Sequence, residues 1–562
     1  MKGLLTFALT VMLGMVLVAA AFGGAEGEAA AAGGVTLTEP GTFPITEEPS
    51  EISLFTYGGA AEGDLPNSWL TAFLQEKTNV SIDFHLTPTE RFKEQMNLMI
   101  ASGEFVDVII AQGNSLTQLS RPEEMRLIQQ GILMPLDDLI ETQSVWYKQR
   151  LDELPGFREA VTAPDGKIYD FGTVGGCFHC KYGQKMWINQ TWLDRLGLEM
   201  PTNTDEFYQV MKAFKEQDAN GNGDPNDEWP INTAKAGAWV QIDGFLMMPF
   251  QFSDVRQSQV RRLYVEDGTI KAAYMQPGYR DGLRYLKQMW DEGLIYPDSF
   301  TQDRNQSKRL NQSGEHAIFG AVPAMHHGYF SVGSGPEVRW REYSGVPPLD
   351  GPMGRETPYY GYPFNTGTTF LTSQARLPEV AFRLIDWLYS DEGSTAGSYG
   401  QEGKSWRGPE AGELAVNGKP AKIAPLAVPE DDPYFQNFTW GNRSSYYSFL
   451  HSWRSSHQDY MVPGPGDSER FLYVFSEVYE PFGAPLEKMM PPLWYSMDSI
   501  SELSQIYATL DEFVYESAVA FITGTKDIET EWDDYQDELR AIGVERYLEI
   551  TQAAYDSSEF AK

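Results

Sequence analysis

Strand and helix signals alternate along the chain between residues 52 and 110. The segments Ile52–Tyr57 and Val80–Phe84 are rich in β-branched and aromatic residues, and Val106–Ile110 is an almost continuous apolar run. Between them lie two stretches of helical length and pattern, one around 69–77 and the other at Arg91–Ser102. Because parallel strands need long crossover connections, this β-α-β-α-β order predicts an α/β fold built on an open parallel sheet.

The ends of these predicted strands carry polar and aromatic residues. Tyr57 closes the first strand, and Gln112 and Asn114 follow the third. Ligands of open α/β sheets bind beyond the carboxyl ends of the strands. These three residues are therefore candidates for ligand binding.

The N-terminus predicts export. Met1-Lys2 precedes an apolar run that ends in Ala19-Ala20-Ala21, an A-x-A cleavage pattern. The run is borderline in length for a transmembrane helix, but the small residues at its end favour a signal peptide at 1–21. Cysteine is absent near the exit, which argues against a lipobox. Residues 22–48 are expected to form a flexible leader, since Gly, Ala and Glu dominate the segment that follows the cleavage site.

Composition excludes several classes of partner. The formal charge of −36 argues against nucleic acid or an anionic membrane. It also mildly disfavours a polyanionic ligand, although a few local arginines could reverse that. The 14 Trp, 29 Tyr and 31 Phe residues give modest weight to carbohydrate binding, because aromatic faces stack on sugars but more often simply form the core.

Residues 218–228 form an acidic loop in which oxygen-bearing side chains alternate. Calcium binds six to eight oxygens, and alternate residues of a tight loop can point inward to supply them. Gly223 permits the turn, and an acidic pair closes the loop one residue earlier than the glutamate of an EF-hand, where Trp229 stands. An Asn/Gly/Asp-rich surface turn is the alternative, but it does not explain the alternation. The predicted ligands of a structural Ca²⁺ are Asp218, Asn220, Asn222, Asp224, Asp227 and Glu228.

An amphipathic helix is predicted immediately before the acidic loop, with Thr202 as its N-cap. Its apolar residues fall at i, i+3, i+4 and i+7, which places them on one face. The loop thus follows the carbonyl end of a helix, where a cation would relieve the repulsion among its carboxylates. The residues of this face are Phe207, Val210, Met211 and Phe214.

The two cysteines of the chain, Cys177 and Cys180, are close in sequence. In an exported protein this spacing favours a disulfide that closes a very small ring. Free thiols, or a metal or redox site, are the alternatives. Neither a thioredoxin-like context nor two further zinc ligands accompany the pair.

The order of these motifs resembles that of an extracellular solute-binding protein. The resemblance rests on "FVDVIIAQGN", "APDGKIYDFG" and the continuous stretch from "MWINQTWLDRLGLEMPT" to the acidic loop. It is strongest from about Ile52 to Trp229 and points to the LipO-type, family 1 members of ABC sugar importers. Calcium-binding alginate-oligosaccharide-binding proteins are related. Relative to their D-x-N-x-N-G-x-x-D-E pattern, this chain has one extra residue before the acidic pair, which leaves open how Asp224 and Asn226 take part.

The resemblance implies a periplasmic-binding-protein type II fold, with two discontinuous α/β lobes joined by a hinge. The chain is expected to cross near 171–176, to return near 316–320 and to cross again near 369–372. The N-terminal lobe would then contain residues 49–171 and 320–370, and the C-terminal lobe residues 172–319 and 371–562.

The function implied by this resemblance is capture of a sugar or oligosaccharide by lobe closure and delivery to an ABC permease, by an expected monomer without covalent chemistry. A sugar-sensing protein for a membrane receptor, or a secreted calcium-stabilised glycoside hydrolase, are alternatives. A sugar site needs stacking aromatics and planar polar groups, although each aromatic candidate can equally belong to the core. The candidates are Tyr57, Gln112, Asn114, Trp187, Trp239, Tyr360, Trp406 and Arg407.

Overall fold

The computed structural model describes residues 34–58, 64–112, 117–175, 178–235, 241–255, 261–331, 338–362, 364–429, 431–435, 440 and 467–561. The predicted signal peptide lies outside these ranges, as do Asn114, Cys177 and Trp239.

The strands of the described residues are β1 Ser50–Tyr57, β2 Val80–Thr87, β3 Val108–Ile110, β4 Thr173–Val174, β5 Met186–Asn189, β6 Trp229–Ile231, β7 Leu263–Glu266, β8 Thr269–Ala272, β9 Phe319–Pro323, β10 Tyr343–Val346, β11 Phe364–Asn365, β12 Thr369–Leu371, β13 Trp406–Arg407 and β14 Ala424–Pro425.

The α-helices of the same residues are α1 Trp69–Thr78, α2 Phe92–Ser102, α3 Arg121–Gln129, α4 Asp137–Gln143, α5 Trp146–Glu153, α6 Phe157–Val161, α7 Phe178–Lys181, α8 Gln190–Leu196, α9 Thr204–Glu216, α10 Ile242–Leu246, α11 Pro277–Asp291, α12 Arg304–Gln312, α13 Pro378–Trp387, α14 Asp391–Tyr399, α15 Asp467–Glu477, α16 Met497–Thr523, α17 Trp532–Ile542 and α18 Val544–Ser557. None of these helices is both long and apolar enough to span a membrane.

The first sheet has the strand order β12-β3-β1-β2. Strand β1 runs parallel to β2 and to β3, whereas β12 runs antiparallel to β3. The predicted parallel arrangement of the first three strands is confirmed, because helices α1 and α2 supply the crossovers that parallel pairing requires.

The second sheet has the order β10-β5-β9-β6. Strands β6 and β9 are parallel, and β5 is antiparallel to both β9 and β10. Each sheet has its own apolar core, and helices α16–α18 pack with the core of the second sheet. The mixed α/β content and the two-sheet arrangement agree with a type II solute-binding fold.

The two sheets are joined where β4 pairs antiparallel with β11. The buried Asp170 stands at this crossing. Its carboxylate accepts N–H hydrogen bonds from Gly172 at 2.9 Å and from Gly367 at 2.5 Å. One side chain therefore binds both crossing segments to each other.

The lobe boundaries in the structure differ from the predicted ones. Strand β9 lies in the second sheet, so the chain does not return to the first lobe near 316–320. It returns at β11 and β12, and the following helices α13 and α14 pack in the core of the first sheet. A short apolar strand such as β9 fits either sheet by composition, and only its pairing with β5 and β6 decides between them.

The predicted flexible leader is wrong for residues 34–48. Ile45 is buried in the first core and donates its N–H to the Thr78 carbonyl at 2.9 Å. Arg383 donates to the carbonyl oxygens of Thr38 and Glu39 at 2.6 and 2.7 Å. Arg383, which is distant along the chain, thus holds this segment in place, although the segment itself has few large apolar residues.

Candidate functional site

The carboxyl-terminal edges of both sheets face the crossing. In the first sheet, β12 follows β11 after a short turn and begins opposite Ile110, the last residue of β3. In the second sheet, β5 is the first strand after β4 and begins opposite Pro323, the last residue of β9. The strand ends at which open α/β sheets bind ligands therefore lie toward the crossing strands in both sheets.

On the first lobe, Tyr57 and Gln112 lie at this edge, as predicted from their position after strands. Both are largely buried, with 4% of each residue exposed. The Tyr57 ring packs against Phe92 at 6.4 Å between centroids. Both residues therefore lie at the strand ends with little open surface.

At the crossing, Tyr360 donates its backbone N–H to the Lys181 carbonyl at 2.8 Å. The Lys181 ammonium lies 4.8 Å from the ring centroid of Tyr359 and 5.4 Å from that of Tyr182. Lys181 thus contacts three tyrosines, through its carbonyl oxygen and its ammonium group. Sequence reasoning missed Tyr182 and Tyr359, although the adjacent Tyr359-Tyr360 pair offered a signal.

Three other predicted ligand residues use their polar side-chain groups in hydrogen bonds within the protein. Trp187 is fully buried, and its indole N–H donates to the Ala324 carbonyl at 2.6 Å, so its ring offers no face to a ligand in this conformation. The Trp406 indole donates to the Gly400 carbonyl at 2.9 Å. The two terminal nitrogens of Arg407 donate to the two carboxylate oxygens of Glu413.

On the second lobe, the segments after β6 and β9 meet the first turns of α12. Asn232 donates to the Ser307 hydroxyl at 2.7 Å and accepts from the Gln302 amide at 2.6 Å. Gln302 also donates to the Thr233 carbonyl at 2.7 Å. These buried amides hold the strand ends and the helix in one fixed arrangement.

A basic and aromatic group lies on this edge, and sequence reasoning missed it. The Arg304 guanidinium lies 4.6 Å from the ring centroid of Tyr329, and the Lys308 ammonium donates to the Gly328 carbonyl at 3.0 Å. Burial lowers the pKa of Lys308, and the Arg304 charge lowers it further. The signal available in the sequence was the run 304–314, which contains three cations and no acid.

The acidic loop folds tightly on itself. Asn220 and Asn222 donate their amide N–H groups to the two carboxylate oxygens of Asp227, at 2.9 and 2.7 Å. Asp218 accepts the Gly223 N–H at 2.9 Å, and Gly223 has a φ of +93°, a conformation that favours glycine. The polar groups of the predicted calcium ligands are thus gathered into one turn.

Two buried carboxylate oxygens of the acidic loop have no hydrogen-bond partner. They are Oδ1 of Asp218 and Oε2 of Glu228. Burial raises the pKa of Glu228, and the neighbouring Asp227 and Asp218 charges add to that effect, against the Asn220 N–H that it accepts at 3.2 Å. A hard cation would bind these unpaired oxygens and reduce the repulsion between the carboxylates. The residues therefore fit calcium.

Asp224 differs from the other predicted ligands. Its side chain is exposed, and Oδ1 accepts both the backbone and the amide N–H of Asn226. Within the described ranges, no group of three or more His, Cys, Asp or Glu side chains is arranged to hold a metal. A calcium site here therefore depends on asparagine oxygens as well as carboxylates.

Helix α9 carries the acidic loop as predicted, with one change at its start. All four residues of the predicted apolar face are buried. The N-cap is Asn203 and not Thr202, since the Asn203 side chain accepts the Glu206 N–H at 2.8 Å. Thr202 instead donates its hydroxyl to the Glu206 carboxylate at 2.9 Å.

Cys180 lies in the short helix α7 and carries a disulfide bond. Its predicted partner, Cys177, lies outside the described residues, so the pairing stays a prediction.

Comparison with known proteins agrees with this architecture. The profile of the bacterial extracellular solute-binding proteins matches residues 59–395. The chain belongs to this family. This solute-binding protein is 28% identical over 534 residues to the fructooligosaccharide ABC transporter substrate-binding protein FusA of Streptococcus pneumoniae, covering 93% of each chain.

Solved structures give the same fold. FusA of S. pneumoniae in complex with kestose matches with a TM-score of 0.71 at 25% identity, over 90% of this chain and 99% of that one. A FusA EF-hand mutant in complex with fructo-nystose matches with a TM-score of 0.72 at 25% identity and the same coverage. An HMO-binding, ABC-transporter-associated solute-binding protein of Bifidobacterium longum infantis matches with a TM-score of 0.74 at 20% identity, over 91% of this chain and 99% of that one.

Proposed function

We propose that this solute-binding protein is the extracytoplasmic substrate-binding component of an ABC importer and that it captures an oligosaccharide. The observation that carries the proposal is the pair of sheets, joined by β4 and β11, whose carboxyl edges lie toward these crossing strands. The near full-length similarity to FusA, whose name states a fructooligosaccharide function, supports it.

Capture would be physical and not chemical. The two lobes would close about the crossing segments, and a ligand that touches both edges would shift the population toward the closed form. The paired strands β4 and β11, with Asp170 between them, would act as the hinge. The closed form would then dock, as a monomer, on a membrane permease.

Export by the predicted signal peptide at 1–21 and a disulfide between Cys177 and Cys180 belong to this proposal. So does a structural Ca²⁺ in the acidic loop, held by Asp218, Asn220, Asn222, Asp227 and Glu228. The fit of that loop to a cation and the EF-hand named for FusA support the metal. Bound there, the ion would neutralise the loop carboxylates, away from any chemistry.

The test is a thermal-shift screen of the mature, calcium-loaded protein against neutral and acidic oligosaccharides, with every hit recovered and checked for cleavage. A rise in Tm of several degrees with intact glycan is expected for a binding protein. Cleaved glycan would instead indicate a hydrolase. An absence of any shift across the panel would contradict oligosaccharide binding.

A further inference from the structure

Three cationic side chains in the segments at the carboxyl edge of the second sheet have no ion pair within the described residues. They are Lys235, after β6, and Arg304 and Lys308, on α12. In contrast, Arg280 and Arg284 of α11 both bind the Glu529 carboxylate. In a chain with 79 acidic and 43 basic residues, neighbouring cations without carboxylate partners form a local excess of positive charge.

The three cations converge on one place, the carboxyl edge of the second sheet. Lys235 donates its backbone N–H to the Gln302 carbonyl at 3.0 Å, just before the start of α12. Arg304 lies over Tyr329, and Lys308 binds the Gly328 carbonyl, both in the segment after β9. The group therefore lies at the edge of the second sheet where β5 begins after the crossing.

The nearest acidic residue along the chain, Asp303, caps the N-terminus of α12. Its carboxylate accepts the Gln306 N–H at 2.8 Å in a capping box that starts α12. Lys308 is partly buried, and a buried charge without a counter-charge costs free energy. An incoming anion would remove that cost.

We propose that this edge is an anion-recognition subsite and that the captured oligosaccharide is acidic, with a carboxylate that binds Arg304 and Lys308. The inference rests on the proposed function. The planar guanidinium of Arg304 can bind a carboxylate through two parallel N–H donors, and Tyr329 holds its face in position. The net charge of −36 does not prevent this, because charges beyond about 8 Å are largely screened at physiological salt.

The experiment is calorimetric titration of the full mature chain with acidic oligosaccharides, each beside its methyl-esterified, neutral counterpart. The probes are oligogalacturonides, alginate-derived oligouronates and sialyllactose, with kestose as a neutral reference. The acid form should bind at least about tenfold more tightly than the ester, which corresponds to about 1.4 kcal/mol. That difference should shrink at high ionic strength.

Matched variants assign the effect to this subsite. Arg304→Gln and Lys308→Gln should each remove about tenfold in affinity for the acid and leave the affinity for the ester unchanged. Arg309→Gln is the control, because Arg309 is an exposed cation of the same helix that lines a separate groove with Tyr296. Comparison of acid and ester on the unmodified chain keeps the test decisive even if a variant does not fold.

The outcomes separate the two proposals. Equal binding of acid and ester, or binding of neutral sugars alone, would overturn the acidic subsite and leave oligosaccharide capture standing. A preference for the acid that Arg304→Gln and Lys308→Gln do not change would also overturn the subsite. If none of the glycans binds, kestose included, both the acidic subsite and oligosaccharide capture are overturned.

Discussion

The carboxylates of the acidic loop differ in whether their oxygens have hydrogen-bond partners. Glu228 is fully buried, yet one of its carboxylate oxygens has no partner, and Asp218 has a second such oxygen. Asp224, in contrast, uses its carboxylate in its own turn and faces solvent. The contribution of each acid to metal binding should therefore differ sharply.

We expect chelation to lower the Tm of the protein and Glu228→Gln to abolish most of that response. Calcium at a hundred times its dissociation constant stabilises a folded protein by about 2.7 kcal/mol. In excess EDTA the variant should be at least as stable as the parent, because it removes a buried charge that lacks compensation. Calorimetric melting with calcium and with EDTA measures both effects.

Asp224→Asn is the control for this prediction, since it changes the same charge at an exposed position of the loop. It should keep the calcium response. A parent protein whose melting curve is identical in calcium and in EDTA would contradict the metal assignment.

The crossing between the lobes depends on close approach of backbone. Gly367, between β11 and β12, has a φ of +75°, and a Cβ added to it would lie 2.0 Å from the Leu119 carbonyl oxygen. Leu119 also donates its N–H to the Gly367 carbonyl at 2.9 Å. The turn between these strands therefore has no room for a side chain.

Gly367→Ala should destabilise the protein by more than about 2 kcal/mol, because backbone strain and a steric clash add. Gly354→Ala is the matched control, since Gly354 has a φ of +78° but no atom within 4 Å of a Cβ. It should cost only about 1–2 kcal/mol, the price of the left-handed conformation. Urea unfolding of both variants measures the difference, and equal losses would contradict the clash.

At the scale of the whole molecule, helix α3 of the first lobe meets the C-terminal segment of the second. The Arg121 guanidinium lies 3.7 Å from the ring centroid of Trp494, and both side chains donate to the Ala160 carbonyl. Arg121 also pairs with Glu124 at 2.8 Å. Burial raises the pKa of Glu124 to about 7, with the Arg121 charge opposing the shift.

This raised pKa predicts a loss of stability with rising pH. The folded state holds the Glu124 proton up to about pH 7, whereas the unfolded state releases it near its ordinary value of 4.5. The contribution is therefore complete below about pH 4.5 and is lost progressively up to about pH 7. Between pH 5 and 8 the parent should lose on the order of 2 kcal/mol relative to Glu124→Gln.

Urea unfolding of both proteins at pH 5 and pH 8 tests this expectation. Glu104→Gln, at an exposed position, is the control and should track the parent. Identical pH profiles for the parent and Glu124→Gln would show that Glu124 is ionised throughout the range.

The predictions from sequence succeeded where neighbouring residues decide the outcome. The parallel arrangement of β1, β2 and β3 follows from the alternating order of strands and helices, and the buried face of α9 follows from the spacing of its apolar residues. For the ligand-residue candidates, the residue type alone does not separate a ligand contact from a core position. In sequence, Trp187 cannot be distinguished from a tryptophan that stacks on a sugar. In the structure its indole packs in the core against Phe471, with 5.3 Å between ring centroids.

The sequence by itself determined the α/β class and an acidic loop with calcium-type spacing. These depend on residues within a few positions of one another, so local geometry suffices. Only the tertiary structure decided that β9 belongs to the second sheet and that Lys235, Arg304 and Tyr329 share one edge. Strand pairing and helix packing set those positions, because they bring together residues that are distant along the chain.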